Sequence, residues 1–114
     1  FVVNKIGTYL KALAAKKNNI PFYVAIPSST IDWETNNFRD VIIEERNNKE
    51  LNLIRGLDSK GKIQEISIYP KDSKVYNPAF DLTPNNLITA LITDKGIIKA
   101  NKNDISKLKN EWNF

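Results

Sequence analysis

The stretch Val2-Val-Asn-Lys-Ile-Gly-Thr-Tyr9, VVNKIGTY, decides how this chain is read. Its start, with Phe1 before it, is apolar and carries two β-branched valines, as a short strand requires. From Ile6 the pattern changes. Ile6, Tyr9, Leu10, Leu13 and Ala14 follow the i, i+3, i+4, i+7, i+8 spacing of an amphipathic helix. Asn4 stands between the two patterns and predicts the N-cap, while Asn18-Asn19 before Pro21 predict the stop. Ile20-Pro-Phe-Tyr-Val-Ala-Ile26 then forms an unbroken apolar run, the pattern of a strand covered on both faces, and Pro27 ends it. Strand, helix, strand in this order predicts an α/β fold with a mainly parallel sheet flanked by helices.

Further along, Val41-Ile-Ile43 reads as a short strand, and Glu50 to Arg55 as a weak helical turn closed by Gly56. Asp58-Ser-Lys-Gly-Lys62 reads as a turn before a strand over 63–69. Thr83-Pro84 predicts a cap and first position for a helix with Leu87, Ile88, Leu91 and Ile92 on its apolar face. Asp94-Lys-Gly96 is a turn, Ile97-Ile98 a short strand, and Asn103 or Asp104 the cap of a last helix with Ile105, Leu108 and Trp112 inward. No internal repeat, low-complexity tract or second domain is visible, and 114 residues suffice for one compact domain.

Composition removes several classes of function. The chain has no Cys and no His, so disulfides, thiol chemistry, the usual metal ligands and the commonest general base are all missing. No nucleophile–base pair of a familiar covalent mechanism can be assembled from these residues. The net charge is +4, but the basic residues are scattered, no block exceeds Lys16-Lys17, and no aromatics are interleaved with them. That pattern predicts a solvated basic surface and no nucleic-acid partner. No apolar run approaches the roughly 20 residues of a membrane span, and no signal-peptide pattern is present. The expectation is a cytoplasmic protein with no membrane partner. The chain starts at Phe1 and contains no Met, which reads as a trimmed chain or part of a longer protein.

Four places could carry chemistry. At the Asn4 corner, a helix start offers free N–H groups, Lys5 adds a positive charge and Gly7 allows close approach; a phosphate would suit it if the corner lies at the carboxyl edge of a sheet. The alternative is that Asn4 only caps and Lys5 only meets water. The turn Pro27-Ser-Ser-Thr-Ile-Asp32 places Ser28, Ser29, Thr30 and Asp32 after the apolar strand, where they line a site or satisfy local backbone groups. Asn77-Pro-Ala-Phe-Asp81, leading into Thr83-Pro84, is a hydrogen-bonded loop of fixed shape or a device that brings Asp81 to a ligand. Glu44, Glu45 and Arg46 read best as an exposed ion-pair cluster.

Taken together, "NKIGTY" at 4–9, "IPFYVAIPSSTID" at 20–32, "IIEER" at 42–46, "VYNPAFDLTP" at 75–84 and "LITALITDKGII" at 87–98 resemble the C-terminal portion of the methylthioribose-1-phosphate isomerases. That family belongs to a larger group with ribose-1,5-bisphosphate isomerase and the alpha, beta and delta subunits of eukaryotic initiation factor 2B. The "STID" turn, the "IEER" block and "NPAFD" look like the isomerase branch. The resemblance covers nearly the whole chain and is weakest over 57–74, which looks like a variable loop or hairpin.

The resemblance implies a Rossmann-like domain, truncated on its N-terminal side and lacking a helical N-terminal domain. The implied reaction is the aldose–ketose isomerisation of 5-methylthioribose 1-phosphate in methionine salvage, without metal or organic cofactor, in a homodimer. The family's Asn-Lys pair binds substrate, which carries over to Asn4 and Lys5. The family's catalytic Cys and Asp lie before this motif, and Asp32, Asp40 and Asp81 do not occupy the catalytic position. The expectation is therefore substrate-binding residues without catalytic ones, and an isolated chain that does not turn over. Other readings are a non-catalytic assembly module like the initiation-factor subunits, or a folded remnant of a degraded isomerase gene.

Overall fold

A computed structural model describes residues 1–111. In chain order the elements are β1 (Val2–Lys5), α1 (Thr8–Lys17), β2 (Tyr23–Ala25), α2 (Lys49–Asn52), β3 (Leu53–Leu57), β4 (Ile63–Ser67), β5 (Phe80–Thr83), β6 (Ala90–Thr93), β7 (Gly96–Ile98) and α3 (Lys102–Glu111). Single 3₁₀ turns cover Ser28–Thr30, Phe38–Asp40 and Asn85–Leu87. Helices and small sheets are mixed, as an α/β reading requires. The chain divides into two compact units, one built from Phe1–Ile42 with the chain from Phe80 on, the other from Ile43–Ala79.

In the first unit β2 and β6 pair in parallel, Val24 opposite Leu91, and β7 joins β6 antiparallel through the turn at Asp94-Lys95. A separate antiparallel ladder joins β1 to β5, with Val2 opposite Thr83 and Asn4 opposite Asp81. The mainly parallel sheet expected from the sequence is thus present only as the β2–β6 pair; the other ladders among the described residues are antiparallel. Helix α1 lies against β5 and the Asn85–Leu87 turn. Ala12, Ile88, Ala90, Leu91 and Leu108 are buried in this unit.

Several expectations are corrected here. Val2–Lys5 is all strand, so α1 starts at Thr8 and Asn4 is not its N-cap; Gly7 takes that place in a left-handed conformation, φ 101°. The apolar stripe of α1 does not face the core of this chain: Ala12 is fully buried, while Leu10 is 70% exposed and Ile6 46%. Strand β2 is likewise not covered on both faces, since Tyr23 and Ala25 are exposed. The helix expected after Thr83-Pro84 is replaced by the 3₁₀ turn and β6. Leu87, Ile88, Leu91 and Ile92 satisfy a helical spacing, but Thr89 is tied to Phe22 at both backbone and hydroxyl, which commits the segment to the strand pairing. Thr83 is buried opposite Val2, and its hydroxyl has no partner among the described residues.

Other signals held. Asn18 and Asn19 end α1 as expected: the Asn18 side chain donates to the Ala14 carbonyl at 2.8 Å, and Asn19 adopts φ 56°. The last helix forms, but its cap is Asn101, whose side-chain oxygen accepts the Asp104 N–H at 2.8 Å while its amide donates to the Asp104 carboxylate at 3.2 Å. Leu108 is buried and Ile105 half-buried; Trp112 lies outside the described residues.

In the second unit, α2 runs into the β3–β4 hairpin, with Ile54 opposite Ile66 and Arg55 opposite Glu65. The weak turn from Glu50 is real but stops at Asn52, and Gly56 lies inside β3 instead of closing a helix. Asp58 organises the hairpin turn by accepting the N–H groups of Lys60 and Lys62, each at 2.9 Å. No strand forms over 41–43; the nearest pairing is an isolated bridge between Glu45 and Pro78. Among the described residues no helix is long and apolar enough to cross a membrane.

Candidate functional site

The corner between β1 and α1 is held by a residue far away in sequence. The Asp81 carboxylate accepts the Gly7 N–H at 2.7 Å and the Tyr9 N–H at 3.1 and 3.2 Å. The ladder explains how it arrives there. Asn4 and Asp81 face each other in the β1–β5 register, so the carboxylate stands beside the turn into α1. It thereby supplies the negative charge and acceptor that a helix start requires, in place of a capping side chain from Asn4.

Asn4 has a different task. Its amide donates to the Thr8 hydroxyl at 3.2 Å, and that hydroxyl donates to the Lys5 carbonyl at 2.7 Å. This relay closes the two-residue link between strand and helix. Lys5 is exposed, and among the described residues its ammonium makes no ion pair. Because neighbouring strand residues project to opposite faces, Asn4 and Lys5 leave β1 on opposite sides. A group touched by both sits at the end of the strand, not on one face of the ladder. The corner is not at the carboxyl edge of the parallel pair, because β1 belongs to the antiparallel ladder.

The carboxyl edge of β2 and β6 carries another constellation. Asp94 accepts the Ser28 N–H at 2.7 Å and the Ser28 hydroxyl at 3.1 Å. These two bonds, the backbone one first, hold the Asp94 carboxyl below the ordinary Asp range. Sequence reasoning singles out Ser28 but not Asp94, because the segment before Asp94 reads as a helix and the parallel pairing that brings the two turns together is seen only in the structure. Asp32 turns back on its own loop and accepts the N–H groups of Glu34 at 2.9 Å and Thr35 at 3.1 Å. The Thr35 side chain first, and then these backbone bonds, hold the Asp32 carboxyl below the ordinary Asp range. Asp32 is thus placed as a local turn residue.

The remaining candidates fall in the second unit. Arg46 pairs with Glu50 at 2.8 Å and Glu44 at 3.4 Å on an exposed surface, while Glu45 makes no ion pair among the described residues. Asn77 donates to the Asn47 carbonyl at 3.2 Å and serves its loop. A shallow groove of about 310 Å³ lies at the far end of α1, lined by Lys16, Asn19, Ile20, Pro21, Asn86 and Thr89 among others. It contains none of these constellations, so chemistry and concavity separate here.

The model of the initiation factor 2 subunit family matches residues 1–100. The chain is 49% identical over 108 residues to the methylthioribose-1-phosphate isomerase of Desulfosudis oleivorans, covering 94% of this chain and 29% of that protein. It is 54% identical over 101 residues to the isomerase of Methylocella silvestris, covering 88% and 28%. Among solved structures it is similar to the translation initiation factor eIF-2B delta subunit from A. fulgidus, with TM-score 0.78, 45% identity, and 96% and 29% of the two chains covered. It is also similar to the 5-methylthioribose 1-phosphate isomerase of Pyrococcus horikoshii, with TM-score 0.74, 39% identity, and 97% and 28% covered. The chain therefore spans less than a third of the length of these relatives.

Proposed function

Because the chain belongs to the initiation factor 2 subunit family, we propose that it is the C-terminal, Rossmann-like portion of a sugar-phosphate isomerase acting on 5-methylthioribose 1-phosphate. In this reading Asn4 and Lys5 contact the substrate, and the observation that carries it is the braced corner that presents them. Lys5 offers an ammonium that makes no ion pair among the described residues, at the end of a strand whose exit is fixed by the Asn4–Thr8–Lys5 relay and by Asp81. A phosphate or a sugar hydroxyl matches those donors. Identities near one half to proteins named as this isomerase support the choice of substrate.

The bond-breaking groups belong to the rest of such a protein, since this chain has neither Cys nor His and spans 29% of its relatives. We therefore assign no turnover to the isolated chain. The outward apolar stripe of α1, with Leu10 70% exposed, supports a surface that further protein covers, whether the remainder of the chain or a second copy in a homo-oligomer. A second reading, a non-catalytic assembly subunit, is favoured by the likeness to the A. fulgidus initiation-factor subunit.

A ketose-formation assay separates the two. The full-length protein is expected to convert 5-methylthioribose 1-phosphate, and this chain alone is not. A full-length protein that leaves the aldose untouched would support the assembly reading.

A further inference from the structure

We infer that Asp81 is a positioning residue that closes the start of α1 with an internal anion, so that an incoming anionic group meets the Lys5 side chain and not the helix terminus. A free helix start attracts phosphate through its unpaired N–H groups and the positive end of the dipole. Here two of those donors, Gly7 and Tyr9, are already spent on one carboxylate at 2.7 and 3.1 Å. Asp81 is half-buried and held on β5 directly opposite Asn4, so strand pairing fixes its reach. A second anion at the same donors would meet the Asp81 charge at close range, which is repulsive.

Two consequences follow for the corner. The first turn of α1 is tied to β5, which fixes where β1 ends and hence where the Asn4 and Lys5 side chains start. The anion-binding capacity of the corner then rests on side chains, of which Lys5 carries the charge. The functional weight of this arrangement rests on the proposed role of Asn4 and Lys5; the closure of the helix start by Asp81 stands on the geometry alone.

The test is a titration of inorganic phosphate into the full chain, followed by amide NMR and by melting temperature, for the wild type, Asp81→Ala and Asp81→Asn. In the wild type the Gly7 and Tyr9 amides are expected to be insensitive to phosphate. In Asp81→Ala they should shift, with phosphate bound roughly fivefold more tightly than by the wild type, the scale of a charge at a helix terminus. Asp81→Asn keeps an acceptor oxygen without the charge and should fall between; it is read in the same way if the alanine variant does not fold. A purely structural Asp81 predicts lower stability with an unchanged or weaker phosphate response, and that result, or wild-type amides that respond as strongly as the variant's, overturns the inference. Lys5→Ala in the wild-type background separates the two claims. A phosphate response unchanged by Lys5→Ala removes the Lys5 contact, while silent Gly7 and Tyr9 amides leave the role of Asp81 intact.

Discussion

Asp81 holds the N–H of Gly7 at 2.7 Å across 74 positions of sequence. One short bond thus joins the end of β1, the start of α1 and β5 into a single corner. The conformation of Gly7 is part of the same device. Its φ of 101° lies in the region that side chains disfavour, yet a Cβ there would meet nothing within 4 Å.

Gly7→Ala is therefore a test of backbone strain alone. It should destabilise the first unit by about 1–2 kcal/mol, measured by urea unfolding. Gly56 is the control, because it lies inside β3 at ordinary φ and a Cβ there also meets nothing. Gly56→Ala should be neutral or stabilising by up to about 1 kcal/mol.

The cap of α3 gives a second contrast. Asn101→Ala removes the acceptor for the Asp104 N–H and should cost about 1 kcal/mol. Asn103→Ala changes an exposed position within the helix and should cost nothing, since alanine is the better helix former. Thermal melts of the two variants would compare them directly; equal losses would place the cap elsewhere.

Acid should loosen the edge where β2 and β6 end. Asp94 is held below its ordinary value, near 3.8, by the Ser28 N–H and hydroxyl. A carboxyl depressed in the folded state stabilises fully above its unfolded pKa, and loses that contribution as pH falls through the lower folded value. Circular dichroism below about pH 4 should show a shallower loss of stability for Asp94→Asn than for the wild type.

These contrasts also mark what the sequence could disclose. Helix α1 was legible from its stripe and its Asn18-Asn19 stop, and the Asp58 turn from its residue types. The start of α1 lies four residues beyond the Asn4 cap that local rules predict, because its capping carboxylate comes from Asp81 and local rules see only neighbours. The segment after Pro84 misled because its apolar spacing fits helix and strand alike, and Thr89's pairing with Phe22 decides between them. The exposed stripe of α1 could not be foreseen, since periodicity finds an apolar face without saying what covers it. At the β1–α1 corner, Asn4 and Lys5 stand as candidates through family resemblance alone, and Asp81 as one of two open alternatives; the role of Asp94 at the β2–β6 edge has no signal in the sequence.

If Lys5 contacts a sugar phosphate at this corner, titration calorimetry of 5-methylthioribose 1-phosphate into the full-length protein reads that contact as affinity. Lys5→Ala should weaken binding by about 1–3 kcal/mol, the scale of one charge-assisted contact. An affinity unchanged by that substitution would contradict the account.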